Sequence, residues 1–182
     1  MEYELIRSRR KTISARVTDG KLTVNAPLNM PLSEIEFFLL SNKSRILKML
    51  ERSEEVRRKA ESDGILSPRE IDELAEKALS VIPQKAEYYS KIIGVSYNKI
   101  TIRNQRTRWG SCSSKGNLNF NCLLMLTPDE VIDAVVVHEL CHLKELNHSE
   151  SFYREVRKAY PEYDKWNGWL RKNGAAIMAR MG

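Results

Sequence analysis

Long apolar runs are missing from this chain. None of its 182 residues lie in a stretch that approaches the ~20 consecutive apolar residues a membrane span needs, which excludes a transmembrane reading. The first residues, MEYELIRSRRKTI, contain no apolar segment of the kind a secretory leader carries, so a cytoplasmic location is expected. Cysteine is scarce. Cys112, Cys122 and Cys141 are odd in number and no two have CxxC spacing, which argues against a disulfide framework and leaves reduced thiols as the expectation. Internal repeats and low-complexity segments are absent as well. Histidine is equally rare, yet its distribution is uneven: all three fall within HELCHLKELNH, from His138 to His148.

What is present reads as an ordinary globular chain, with 42% hydrophobic and 30% charged residues. The length fits one domain with a small N-terminal extension. The net charge is +6. The excess gathers at Arg7, Arg9, Arg10, Lys11 and Arg16, and again at Arg103, Arg106, Arg108 and Lys115. Such charge suits a nucleic acid, a nucleotide or an acidic substrate, or simply a solvated basic surface.

Residues 2–26 alternate as strands do, and Asp19-Gly20 is a hairpin turn signal. A helix is expected from Ser33, where Ser33 and Glu36 have capping-box spacing, running through a charged stretch to Asp63-Gly64. Ser67-Pro68-Arg69-Glu70 is a second helix start, for a helix reaching Ile93 and ended by Gly94. Val95 to Arg103 reads as a strand, Arg106 to Gly116 as a loop or bulged edge, and Leu118 to Cys122 as a further strand. Thr127-Pro128-Asp129-Glu130 repeats the helix-start pattern ahead of a valine-rich segment, which predicts a buried helix. Two more helices are expected, from Ser149 to Tyr160 and from Tyr163 to Met181.

The histidine segment carries the chemistry. A helix advances ~100° and ~1.5 Å per residue, so His138 and His142 lie about 40° apart, one turn apart on one face. That spacing lets two imidazoles reach one zinc ion. Glu139 sits at the border of this face, poorly placed as a ligand and well placed to hold a water on the metal. His148 would lie ~15 Å from His138 along a straight helix, so it joins only if the chain leaves the helix first. Asn147, in a left-handed conformation, is the expected breaker, with Ser149 capping the next helix. The plain alternative, two histidines and an acid merely packed on a buried helix, leaves costly polar groups unpartnered. Three neutral imidazoles leave zinc an open position and its full charge, so water held there has a pKa near ~7. Glu139 is the expected general base, and a carbonyl or phosphoryl centre the expected target. Cys141 points to another face and is read as core.

The stretches RTRWGSCSSKGNLNFN (Arg106 to Asn121) and VVVHELCHLKELNHSESFYREV (Val135 to Val156), with RRKTISARVTDGKLTVNAP near the start, resemble the YgjP-like metallopeptidase family, relatives of the WLM and SprT-like proteases. The resemblance covers nearly the whole chain. It implies a single domain over 1–182, with a hairpin-plus-helix subregion at 1–64 and a catalytic core at 65–182. It implies an α+β, small zincin-like fold: a short mixed β-sheet over an HExxH active-site helix, with an N-terminal β-hairpin. It also implies Zn2+ held by His138, His142 and His148, with Glu139 catalytic. Arg45 stands where family members often carry Trp, and Glu145 stands where metzincins have Gly, which argues against a metzincin.

Around this segment, Arg108 is a candidate for binding a developing oxyanion or a phosphate. Trp109 to Ser113 is either an edge-strand rim of the cleft or a structural turn anchored by Trp109. Asn121 either touches a ligand or closes a strand. Phe152 is expected to pack the next helix over the site, and Tyr153 either lends its hydroxyl or is structural. The leading function is a zinc peptidase acting on a peptide or protein. Alternatives are a metal-dependent nucleotide hydrolase and a protease recruited to nucleic acid by the basic surface.

Overall fold

The computed structural model describes residues 2–181. It is a mixed α and β structure, and its contacts divide at Gly64 into two compact units, Met1–Gly64 and Ile65–Gly182.

In the first unit, strands β1 (Glu4–Ser8), β2 (Ser14–Thr18) and β3 (Lys21–Pro27) form a sheet in the order β1-β3-β2. β3 runs parallel to β1 and antiparallel to β2. Asp19 (φ 50°) and Gly20 (φ 75°) both adopt the left-handed conformation that a two-residue turn between twisted strands requires. Leu22, Val24 and Ala26 alternate inward on β3, and Ile35, Leu39 and Ile46 cover them from two helices. Those helices are α1 (Leu32–Ser41) and α2 (Lys43–Asp63), not the single helix the sequence predicts. The break is Asn42, whose backbone (φ −109°, ψ 10°) leaves the helix and whose side-chain amide donates to Phe38 O at 2.8 Å. The Ser33–Glu36 capping box does not form either. α1 begins at Leu32 behind Pro31, whose carbonyl takes the amides of Glu34 and Ile35, so no side-chain cap is used.

The second unit opens with α3 (Pro68–Ile93). Here the capping box does form: Ser67 Oγ accepts from Glu70 N at 3.3 Å, and Glu70 accepts from Ser67 N at 2.8 Å. Gly94, left-handed at φ 75°, ends the helix. Strands β4 (Lys99–Arg103), β5 (Gly110–Cys112) and β6 (Asn117–Asn121) make a mixed sheet in the order β4-β6-β5. The first strand is shorter than its apolar start at Val95 predicts, because 95–98 turn before entering the sheet. Of the two readings of the polar stretch, loop or bulged edge, the structure has the edge: it contains β5, an edge strand. A 3-10 turn over Cys122–Leu126 leads to α4 (Asp129–Cys141), followed by α5 (Glu150–Ala159) and α6 (Tyr163–Ala179).

α4 is the axis of this unit. Its valines and isoleucine disfavour helix by at most ~0.7 kcal/mol each. Burying such a side chain returns roughly 1.5–3 kcal/mol, so burial decides. Val131, Val136, Val137 and Leu140 are fully buried. The start of α4 departs from expectation. Thr127 does not cap it; its hydroxyl donates to Leu124 O at 2.8 Å, and Pro128 takes the cap position without a side-chain bond. The helix is held instead from outside, by Lys85 of α3, whose Nζ lies 2.7 Å from both Asp129 and Asp133. Among the described residues, no helix is long and apolar enough to cross a membrane.

Candidate metal centre and active site

His138 and Glu139 occupy the last turn of α4, and His142 is the residue that caps it. The chain leaves the helix there and not at Asn147. The amides of Leu143, Lys144 and Glu145 bond back to the carbonyls of Leu140 and Cys141, closing a tight terminal turn. Asn147 is not left-handed, since Asp19 alone among the described non-glycine residues has positive φ. The reversal therefore begins about five residues earlier than the residue types alone predict. The earlier exit gives His148 the length of chain it needs to swing back. Ser149 then caps α5, accepting from Phe152 N at 3.3 Å.

The reversal brings His148 Nε2 to 3.0 Å from His138 Nε2. One ring nitrogen from each of His138, His142 and His148 lies within 4.8 Å of the others. Two ligands ~2.0–2.1 Å from a tetrahedral ion stand roughly 3.4 Å apart, so this spacing suits one small cation. The opposite ring nitrogens have partners. His142 Nδ1 donates to Glu145 O at 3.0 Å, which fixes the proton there and leaves Nε2 as a lone pair. His138 Nδ1 lies 2.8 Å from the hydroxyl of Tyr163 on α6. Phe152, fully buried, stacks on His142 at 4.5 Å and meets His138 edge-on at 4.9 Å, so α5 fixes both ring planes. The ring of Tyr153 stacks on His148 at 6.1 Å. The donor set thus fits a metal: three imidazoles converge, and two carry the outer hydrogen bonds that ligand histidines use.

Burial sets the electrostatics. It holds the His138 imidazole down at about 3, with the neighbouring histidines adding to the effect. His142 is lowered by the same cause, offset by its bond to Glu145 O. The His138 ring therefore remains neutral well below neutral pH, and burial favours the neutral form of His142 as well. Glu139 is 6% exposed. Burial pushes its carboxyl up to about 8, and the positive charge of Arg108 pulls against that rise. The carboxyl lies against β5 at Gly110, where a Cβ would come within 2.7 Å of Glu139 Oε1 and Cγ. Glycine is required there by this close approach. Cys141 is fully buried, away from the histidine cluster, and Cys112 is a thiol raised to about 11 by burial and the nearby Glu139.

The remaining predicted residues divide. Arg108 is exposed, and with Trp109 it lines the same cavity as His138 and Glu139. Trp109 rests on α6, where a Cβ at Gly174 would meet its ring at 3.0 Å. Asn121 has a different task from ligand contact. It is 1% exposed. Its amide donates to Gln105 O at 2.6 Å and Arg108 O at 3.0 Å, while its carbonyl accepts from Leu123 N at 3.1 Å. It ties down the loop that carries Arg108. Tyr163 was missed altogether. It lies 25 positions from His138 in sequence, and no local pattern marks it; only the crossing of α6 over α4 does. Tyr163→Phe keeps the buried ring and removes the hydroxyl. Loss of an outer partner of this kind costs ~10–100-fold in metal affinity. A competition titration against a chromophoric chelator reads it, and an unchanged affinity would reduce Tyr163 to packing.

The family model described as YgjP-like, metallopeptidase domain, matches residues 66–173. The chain belongs to that family, and it is a metal-dependent peptidase that acts on a peptide or protein. Among solved structures, it is similar to the metallopeptidase zymogen of Pyrococcus abyssi abylysin, at 26% identity and a TM-score of 0.46, over 50% of this chain and 94% of that one. It is also similar to the metallopeptidase zymogen of Methanocaldococcus jannaschii jannalysin, at 20% identity and a TM-score of 0.44, again over 50% of this chain and 94% of that one. No curated protein matches the chain. The comparisons lend no support to a nucleotide or nucleic-acid partner.

Proposed function

We propose that the chain is a single YgjP-like domain over 1–182 whose unit 65–182 is a small zincin-like catalytic core, with the N-terminal hairpin and helices as an appended subregion. The observation that carries this reading is the convergence of three ring nitrogens beside one buried carboxyl, Glu139. Three neutral imidazoles form a donor set that suits zinc, and they leave a coordination position open. His138, His142 and His148 would hold the ion, which when bound supplies an acidified water and a polarised substrate carbonyl.

The chain's own residues do the rest. Glu139 accepts the proton of the attacking water and returns it to the leaving nitrogen. Its burial against Gly110 of β5 holds the carboxyl in place for both transfers. Arg108 stands ready to stabilise negative charge growing on the carbonyl oxygen. β5 is an edge strand whose one neighbour is β6. Trp109 O and Ser113 N are turned to β6, and antiparallel alternation turns the polar groups of Gly110 and Cys112 outward. An extended substrate pairing with them would run directly past Glu139. Tyr153 offers its hydroxyl at the His148 side. Free thiols at Cys112, Cys122 and Cys141 are in keeping with a cytoplasmic setting.

Metal dependence tests this reading. Purified enzyme treated with a strong chelator is expected to stop cleaving peptides, and added zinc to restore the rate. Cleavage that survives complete chelation, or that returns with magnesium or calcium in place of zinc, would refute the assignment.

A further inference from the structure

Next to Glu139 a cavity of about 260 Å3 opens between α4 and α6. Ala134 and Val135 line it from α4, one turn before His138 and Glu139, and so on the same side of that helix. Leu170 lines it from α6, and the Trp109 ring closes it from the loop before β5. These walls are apolar and firmly held: Ala134 is 2%, Val135 7% and Leu170 9% exposed. The polar groups that line the cavity are Thr107, the exposed Arg108, Tyr163 and Asn167 of α6, and His138 and Glu139 of the reaction site.

Size and polarity together limit the occupant. Ligand pockets for whole small molecules span ~300–1,000 Å3, so this one suits a single side chain projecting from a bound chain. A lysine would bring its ammonium against Arg108. An acidic side chain would bring a second carboxyl against Glu139. Either burial is costly, whereas an apolar side chain gains by leaving water. The cavity also shares Gly110, His138 and Glu139 with the reaction site. Its occupant must therefore belong to a residue beside the bond that is cut.

We infer that this cavity is the specificity site of the enzyme, receiving one medium or large apolar side chain, of the size of Leu, Met or Phe, from a residue flanking the scissile bond. The inference rests on the peptidase reading and adds the class of substrate to it.

The experiment uses the full zinc-loaded chain and a mixed peptide library, with cleavage positions read by mass spectrometry. One flanking position should be enriched in Leu, Met and Phe and depleted of Asp, Glu and Lys. On matched peptides, Leu should exceed Ala there by roughly 10–100-fold in kcat/KM, the scale set by added methylenes in an apolar pocket. Leu170→Ala should shift the preference towards Phe. Because Leu170 is a core residue, a second variant guards the result: Asn167→Asp, at a half-buried position, should weaken the apolar preference and admit Lys. Calorimetric binding of the same peptides to zinc-loaded Glu139→Gln enzyme should follow the same order. Equal cleavage or binding of Leu and Asp peptides would overturn the inference, as would a Leu preference that neither variant moves. If no peptide is cleaved yet the binding order persists, the peptidase reading fails and the cavity's selectivity stands.

Discussion

Glu139→Gln is expected to abolish peptide cleavage while leaving the metal in place. The amide keeps the size and shape of the carboxyl but cannot take a proton from water. Removing a positioned base of this kind costs ~10²–10⁴-fold, and kcat and kcat/KM should fall together because the lost interaction belongs to the transition state. Metal content after purification should match that of wild type, since the three histidines are untouched. Full activity in this variant would sink the assignment of Glu139. The same substitution has an effect on stability with the opposite sign. Burial raises the carboxyl from 4.5 to about 8, so the folded metal-free protein binds this proton more tightly than the unfolded chain does. Stability is therefore lost as pH rises above the unfolded value, and the whole loss is reached above the folded one. Gln has no proton to lose. In chelated protein, the variant should match wild type below about pH 4.5 and exceed it increasingly up to about pH 8. The full difference is of the order of 3–5 kcal/mol by the linkage relation. Thermal melts across that range check it, and a flat difference would mean that Glu139 is not desolvated.

His148→Ala is expected to lose the metal and keep the fold. His148 is exposed; its ring meets the other two histidines, and only the edge relation to Phe152 at 5.1 Å ties it to the core. Ser149 caps α5 without it. In chelated protein, the variant should melt within ~0.5 kcal/mol of wild type, the usual range for a surface position. Metal affinity should nevertheless fall by more than the ~100-fold upper limit for loss of an outer partner, because a ligand itself is gone. A chelator competition titration and a melt on the same sample read both quantities. Retention of the metal at wild-type affinity would remove His148 from the site. His142→Ala does not separate the two effects so well, since its ring stacks on the buried Phe152 and packing would be lost along with the ligand.

Several features of the molecule were legible in the sequence because their causes are local. Ser67, Pro68 and Glu70 specify a helix start through bonds that span three residues, and those bonds form. Asp19-Gly20 tolerates the backbone that its turn demands. His138 and His142 share a face because helical periodicity makes them do so. Similar patterns misled where a competing local bond or turn took the backbone first. Thr127 looks like Ser67, but its hydroxyl is taken by the 3-10 turn before it. Ser33 looks like a cap, but the preceding proline starts the helix first. Asn147 is a sound breaker by type, yet the helix ends at His142, where its ring bonds to Glu145 O across the terminal turn.

By itself, then, the sequence determined the pair of histidines on one helix face, the neighbouring carboxyl and the apolar character of the helix that bears them. These follow from residue type and from spacings of one or four positions. Only the tertiary structure decided the rest. It set where α4 ends, and so how His148 returns to 3.0 Å from His138. It turned Asn121 into a clamp on the Arg108 loop. It brought Tyr163 from another helix to His138, and laid Gly110 against Glu139. The physical reason is the same in each case. A hydrogen bond, a close approach or a desolvated charge depends on which distant segment comes to lie alongside, and that is settled by packing around α4.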